Sequence, residues 1–329
     1  MLGLAALAVS GAARAYFTVP VLPGGSFGVD LKATSALDEA AIMVAVTGKH
    51  LAFLAALIWA WRRFEASGAR RYVWAAVAAT VANGVLLYGT NRLAALFVAA
   101  SSILAYLALF PRHRARLTAP AVAGLVVVYA FMTRARNYWD PYAAYSGPEH
   151  ALRNAESLIN HYLGGIHNVA ISVRMAETYG AHAGLTTLLY DLVRPVPVLN
   201  LLARGDGAAR TSNQYFNLEF YQSTKMDVIL PAVGQGGFYV GPWLAWTVPV
   251  ALLLVGVAVE RWMLATRRVE HLYLGSLVLM RLGTLMGSNA TIQANEMAIQ
   301  FLLPIAMVWL LGEVRVRGDP SGSAGPKRG

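Results

Sequence analysis

Eight stretches of mainly apolar residues, closed off by charge, recur along this chain of 329 residues, at about 2–18, 41–60, 72–90, 93–110, 119–133, 238–259, 271–288 and 297–312. A bilayer hydrocarbon core about 30 Å thick needs roughly 20 helical residues per crossing, and runs of this length and spacing answer that need. The fifth and last are short. With 57% hydrophobic and only 13% charged residues, the chain is too apolar for an ordinary soluble domain. The expected fold is therefore all-α: a polytopic membrane protein of about eight transmembrane helices with one large helical extracytoplasmic loop.

The net charge of +10 follows the same logic. Four clusters, Trp61 to Arg71, Pro111 to Arg116, Glu260 to Glu270 and Glu313 to the C-terminus, hold 14 Lys/Arg against 5 Asp/Glu. They fall between spans so that all lie on one face, which the positive-inside rule makes cytoplasmic. The basicity is thus topological, with contact to anionic membrane lipid a further consequence, and it gives no reason to expect a nucleic-acid partner. There is no cysteine, hence no disulfide framework and no thiolate nucleophile or metal ligand.

This topology divides the chain into N-terminal transmembrane helices (1–133), an extracytoplasmic loop (134–235), C-terminal transmembrane helices (236–317) and a disordered cytoplasmic tail (318–329). The first run, ending in Ala13-Arg14-Ala15, also resembles a signal-peptide cleavage region without a basic start, or a truncated span. The loop has eight basic and eight acidic residues and eight of the chain's 15 tyrosines. Helical periodicity from Leu152 to Tyr162 stops at Gly164-Gly165, a second helix is expected from Ile166 to Tyr179, ending at Gly180, and a third in "LTTLLYDLV" before Pro195. Tyrosine suits both a membrane interface and the C–H faces of sugars.

Few motifs carry chemistry. "GGSFG" at Gly24 to Gly28 has the spacing of a hydrolase nucleophile elbow but lacks the strand and helix that elbow requires. No His-Glu-x-x-His or comparable spacing occurs, so no metal or other cofactor is expected. His167 opens the second loop helix with Arg174 seven residues on, on the same face; a helix N-terminus disfavours an imidazolium, which suits a neutral base, though His167 and Asn168 also fit as helix caps. Arginines bind phosphate bidentately and stay charged, which draws attention to Arg136, Arg174 and Arg210 in the loop. Arg281 lies in the outer half of the seventh span and Arg92 on the turn before the fourth, while Lys49-His50 interrupt the second span. Charges at such depth usually face a protein-lined cavity. Asp38-Glu39 stand just outside the first span, where they also begin the next helix.

"YGTNRLAALFVAASSILAYLAL", "YLGGIHNVAISVRM" and "SNQYFNLEFYQSTKMDVILPAVGQGGFYVGPWLA", with the re-entry into the membrane that follows, together resemble bacterial O-antigen polymerases, the oligosaccharide repeat-unit polymerases related to the O-antigen ligases. The likeness covers roughly residues 85–260 and lies in architecture and texture, since the family has no sharp signature. An Arg-x10-Gly spacing found in some members recurs at Arg153 to Gly164 and Arg194 to Gly205, near chance in a chain with 30 glycines.

The resemblance implies a multi-pass protein of the bacterial inner membrane with its active site on the extracytoplasmic face. There it would join polyprenyl-pyrophosphate-linked oligosaccharides without a metal or nucleotide sugar, alongside a chain-length regulator and a flippase. Joined to the residue reading, it makes His167, Arg174 and Arg210 the expected catalytic residues and Arg92, Arg136 and Arg281 the pyrophosphate-binding ones. Glu177, Asp227 and Asp38 are alternative acid/base groups. The rival readings are an O-antigen ligase or another polyprenyl-linked-sugar glycosyltransferase, and a transporter or flippase of the same lipid-linked sugars. The two halves of the chain do not mirror one another, which counts against an inverted-repeat transporter.

Overall fold

A computed structural model describes residues 17–18, 36–88, 92–114, 122–124, 166–193, 210–221, 230–266, 268–283 and 303–317. These residues are helical apart from one two-residue antiparallel pairing of β1 (Phe17–Thr18) with β2 (Leu87–Tyr88). The helices are α1 (Ala36–Ser67), α2 (Arg70–Val85), α3 (Arg92–Leu109), α4 (Ile166–Val193), α5 (Ser212–Tyr221), α6 (Ala232–Val240), α7 (Thr247–Thr266), α8 (Val269–Leu282) and α9 (Leu303–Arg317).

α1, α2, α3 and α8 form a bundle, with α7 packed on α8 and α9 on α1. Its core comes from the apolar runs: Val46, Phe53 and Leu57 of α1, Val73 of α2, Val98 and Tyr106 of α3, and Leu274 and Leu277 of α8. A stretch starting at Ala40 in α1 and ending at Ser67, and another from Pro242 to Ala265, are long and apolar enough to cross a membrane. None of the second stretch's apolar window is buried inside the chain, and α7 exposes Leu253, Leu254 and Val255. Several polar groups inside the bundle are paired across helices. The Asn83 amide of α2 donates to Ser102 of α3 (2.8 Å) and to the Tyr273 hydroxyl of α8 (2.9 Å), and that hydroxyl lies 2.7 Å from Nδ1 of His50 on α1. One network thus ties four helices together, as a medium without water demands. Beside it Lys49 donates to the Leu86 carbonyl at the end of α2, where a cation complements the helix dipole.

A smaller layer of α4, α5 and α6 has its own core of Met175, Phe216, Leu230, Phe238 and Tyr239. α4 is one helix of 28 residues, about 42 Å long, running straight through Gly180 where the sequence pattern suggested a break. Gly180 and Gly184 are there to let α6 approach: a Cβ on Gly184 would lie 2.5 Å from the Phe238 carbonyl and one on Gly180 3.3 Å from it. α6 ends at Gly241, whose φ of 91° favours glycine, and Pro242 then opens the turn into α7. The sixth apolar run, expected from 238, therefore begins in the last three residues of a buried α6, and the membrane-length stretch starts only at Pro242. The runs at 93–110 and 271–288 correspond to α3 and to α8, which ends earlier, at Leu282; the helix expected over 152–162 and most of the runs at 2–18 and 119–133 lie outside the described residues.

Gly184→Ala is expected to lower the melting temperature of the detergent-solubilised protein by several degrees, because backbone must move. Gly256→Ala should leave it nearly unchanged, since a Cβ there meets only Leu282 at an ordinary 3.8 Å. Differential scanning fluorimetry of the two variants makes the comparison.

Candidate functional site

The layer is joined to one particular end of the bundle. α6 leads directly into the N-terminus of α7, Val248 of α7 packs on the layer's core, and Gly256 of α7 faces Leu282, the last residue of α8. α8 runs toward this end, its last residue meeting α7 at Gly256, nine residues or about 13 Å short of the α7 N-terminus, and the Arg281 guanidinium packs 5.7 Å from the ring centroid of Phe97 on α3. Arg92, the first residue of α3, is five residues before Phe97 toward the same end. Two expected pyrophosphate ligands, Arg281 and Arg92, therefore lie on the side of the bundle that faces the layer-bearing end of α7. Arg281 is buried, at 3% exposure; the Arg92 side chain lies outside the described residues.

Within the layer, the α5 N-terminus is built from a capping box. The Thr211 hydroxyl accepts from the Gln214 N–H (3.2 Å), and the Gln214 side chain accepts from the Thr211 N–H (2.7 Å). The next donor, the Ser212 N–H, goes to Oδ2 of Asp191 near the end of α4 (3.1 Å). The same oxygen accepts from the Ser212 hydroxyl at 2.6 Å and the Tyr239 hydroxyl at 2.5 Å. Gln235 of α6 in turn donates to both hydroxyls, at 3.0 and 2.5 Å. Asp191 is 4% exposed, and its other oxygen, Oδ1, is buried without a hydrogen-bond partner among the described residues.

The rim of the layer is cationic and aromatic. Arg174 on α4 donates through Nε to Glu219 on α5 (2.8 Å) with its side chain 74% exposed, which turns the rest of the guanidinium outward. Arg210, exposed, lies 6.0 Å from the ring centroid of Tyr215, and Tyr215 packs on Tyr179 (5.3 Å) and Phe238 (5.5 Å). Such a surface can bind oxyanions through guanidinium and sugar faces through tyrosine.

The expected residues do not all gather at one point. His167 is the second residue of α4, its side chain outside the described residues, and Glu177 is exposed one turn beyond Arg174. Arg210 stands two residues before Ser212, beside Asp191; Arg174 and Asp191 are 17 residues apart on one continuous helix, about 25 Å. Asp38 is half-buried on α1, and Arg136 and Asp227 lie outside the described residues. Sequence reasoning passed over Asp191, Ser212, Gln235 and Tyr239. The available signals were a lone acid inside the uncharged run "LTTLLYDLV" and the Thr-x-x-Gln spacing of "TSNQ". Among the described residues no group of three or more His, Cys, Asp or Glu side chains could hold a metal ion.

No family model matches the chain, and no curated protein or solved structure matches it either.

Because Arg174 is so exposed, its pair with Glu219 should contribute under about 1 kcal/mol to stability. Arg174→Ala and Glu219→Gln should each melt within about two degrees of the wild type, which leaves Arg174 free to be tested for function by assay alone.

Proposed function

We propose that the chain is a multi-pass membrane glycan polymerase. It joins polyprenyl-pyrophosphate-linked oligosaccharide repeat units on the extracytoplasmic face of the bacterial inner membrane and releases polyprenyl pyrophosphate. A hydroxyl of one repeat unit attacks the anomeric carbon of another glycan, and the bond to the pyrophosphate oxygen breaks. The demands on the protein are to hold a lipid diphosphate at the membrane surface, stabilise the charge that builds on it, lay out two glycans and accept one proton.

One observation carries this reading: a folded layer that exposes Arg210 on Tyr215 is joined to an apolar bundle through the start of α7, the side toward which α8 carries Arg281 and on which α3 begins at Arg92. Guanidinium forks at that junction suit a pyrophosphate whose polyprenyl tail stays in the bilayer, and the tyrosines of the layer suit the sugars beyond it. Arg136 and Arg174 belong to the same set of oxyanion contacts, and His167 is the base that the sequence nominates. The eight-span topology, with both termini and the basic loops in the cytoplasm, completes the proposal.

The test is to reconstitute the purified protein in liposomes with a polyprenyl-pyrophosphate repeat unit and resolve the products by size. A ladder of integral repeat units is expected, and substrate moved across the bilayer unaltered would refute the reading in favour of transport. Arg210→Ala should reduce the rate about 10- to 100-fold, the loss corresponding to one charge-assisted hydrogen bond to the leaving group. The chain has no cysteine, so single cysteines report topology directly. A cysteine at Ala66 should react with an impermeant maleimide only from the cytoplasmic side, and one at His182 only from outside.

A further inference from the structure

We propose that Asp191 is the general base of glycosyl transfer, taking the proton of the attacking sugar hydroxyl on Oδ1. This rests on the polymerase reading above. The carboxylate is fixed through one oxygen only: Oδ2 receives the Ser212 N–H, the Ser212 hydroxyl and the Tyr239 hydroxyl, while Gln235 braces both hydroxyls from behind. Capping α5 accounts for Oδ2. It does not account for a second carboxylate oxygen that is buried without a donor among the described residues, an arrangement that opposes folding unless something else uses the atom.

Position favours the same role. Asp191 lies two residues from the end of α4 and Ser212 is the first residue of α5, so the carboxylate sits where two helix ends meet, and its neighbour Leu192 is 64% exposed. Arg210, the loop arginine best placed to meet a pyrophosphate, is two residues from Ser212. The base must act within reach of the anomeric carbon that bears the pyrophosphate. Asp191 shares the Arg210 end of the layer, whereas His167 is 24 residues away on α4, about 36 Å along the helix. As the acceptor oxygen bonds to the anomeric carbon, its proton passes to Oδ1, the carbon–oxygen bond to the pyrophosphate breaks with its electron pair leaving on the pyrophosphate, and the proton later goes to water.

Asp191→Asn separates this role from capping. The amide oxygen still accepts from Ser212 and Tyr239, but the NH2 in place of Oδ1 cannot take a proton. In the liposome assay the variant should melt within a few degrees of wild type and keep its KM while kcat falls at least about 100-fold. A variant that polymerises at the wild-type rate would overturn the proposal and return the role to His167. If Asp191→Asn does not fold, Tyr239→Phe decides. Losing one donor to Oδ2 loosens the hold on the carboxylate while leaving the substrate contacts in place, so kcat should fall about 10-fold with KM unchanged, and an unchanged kcat refutes the assignment. A wild-type protein that builds no ladder would defeat the polymerase reading itself, and this proposal with it, an outcome distinct from an active wild type with an active Asp191→Asn.

Discussion

A polar side chain withdrawn from water must find its partner within the protein, and the structure is organised around two places where that constraint is met. In the bundle, His50, Asn83, Ser102 and Tyr273 come from four helices and are mutually hydrogen-bonded. Leucine and valine packing tolerates a helix that slides or rotates; this network does not, because any shift leaves an orphaned amide or hydroxyl in an apolar medium. It sets the register of α1, α2, α3 and α8, and through that register fixes the height of Arg281 above it. In the layer, Asp191, Ser212, Gln235 and Tyr239 do the same for three helices.

The two networks are coupled by glycine. α4 and α6 approach so closely that Gly184 has no room for a side chain, and this contact carries Tyr239 to within reach of Asp191. Gly241 then reverses the chain with a positive φ, and Pro242 begins the path into the exposed apolar helix α7. The position of the layer relative to the bundle end is thus set by a short, conformationally demanding turn rather than by a flexible linker. That kind of connection holds the side chains of the layer at a defined place relative to α7.

Much of the bundle was legible in the sequence because length and apolarity register a long helix locally: the runs at 41–60, 72–90 and 93–110 correspond to the helices α1, α2 and α3 within a few residues, and of these three α1 is long and apolar enough to cross a membrane. The layer was read less well, for identifiable reasons. Gly180 signals a helix end by its own propensity, and only the nearness of α6, 50 to 60 residues away in sequence, explains why a glycine sits mid-helix instead. Only the last three residues of α6 fell within the sixth apolar run, and its start was read as part of the loop, because a nine-residue helix is too short to stand out by hydropathy. Asp191 escaped notice because its partners Ser212, Gln235 and Tyr239 lie 21 to 48 residues on. Residue type pointed toward arginines and histidine; environment, which only the fold supplies, singles out the carboxylate.

The length of α4 gives the layer a direction. Asp191 and Arg210 stand at one end, and the Arg174–Glu219 pair lies about 25 Å away along the same helix. The short helix α5 spans between them: its Ser212 meets Asp191, and Glu219, seven residues or about 10 Å further on, meets Arg174. Two charged contacts at opposite ends of α5 therefore hold it against α4, the buried one fixing where it starts and the exposed one adding orientation more than stability.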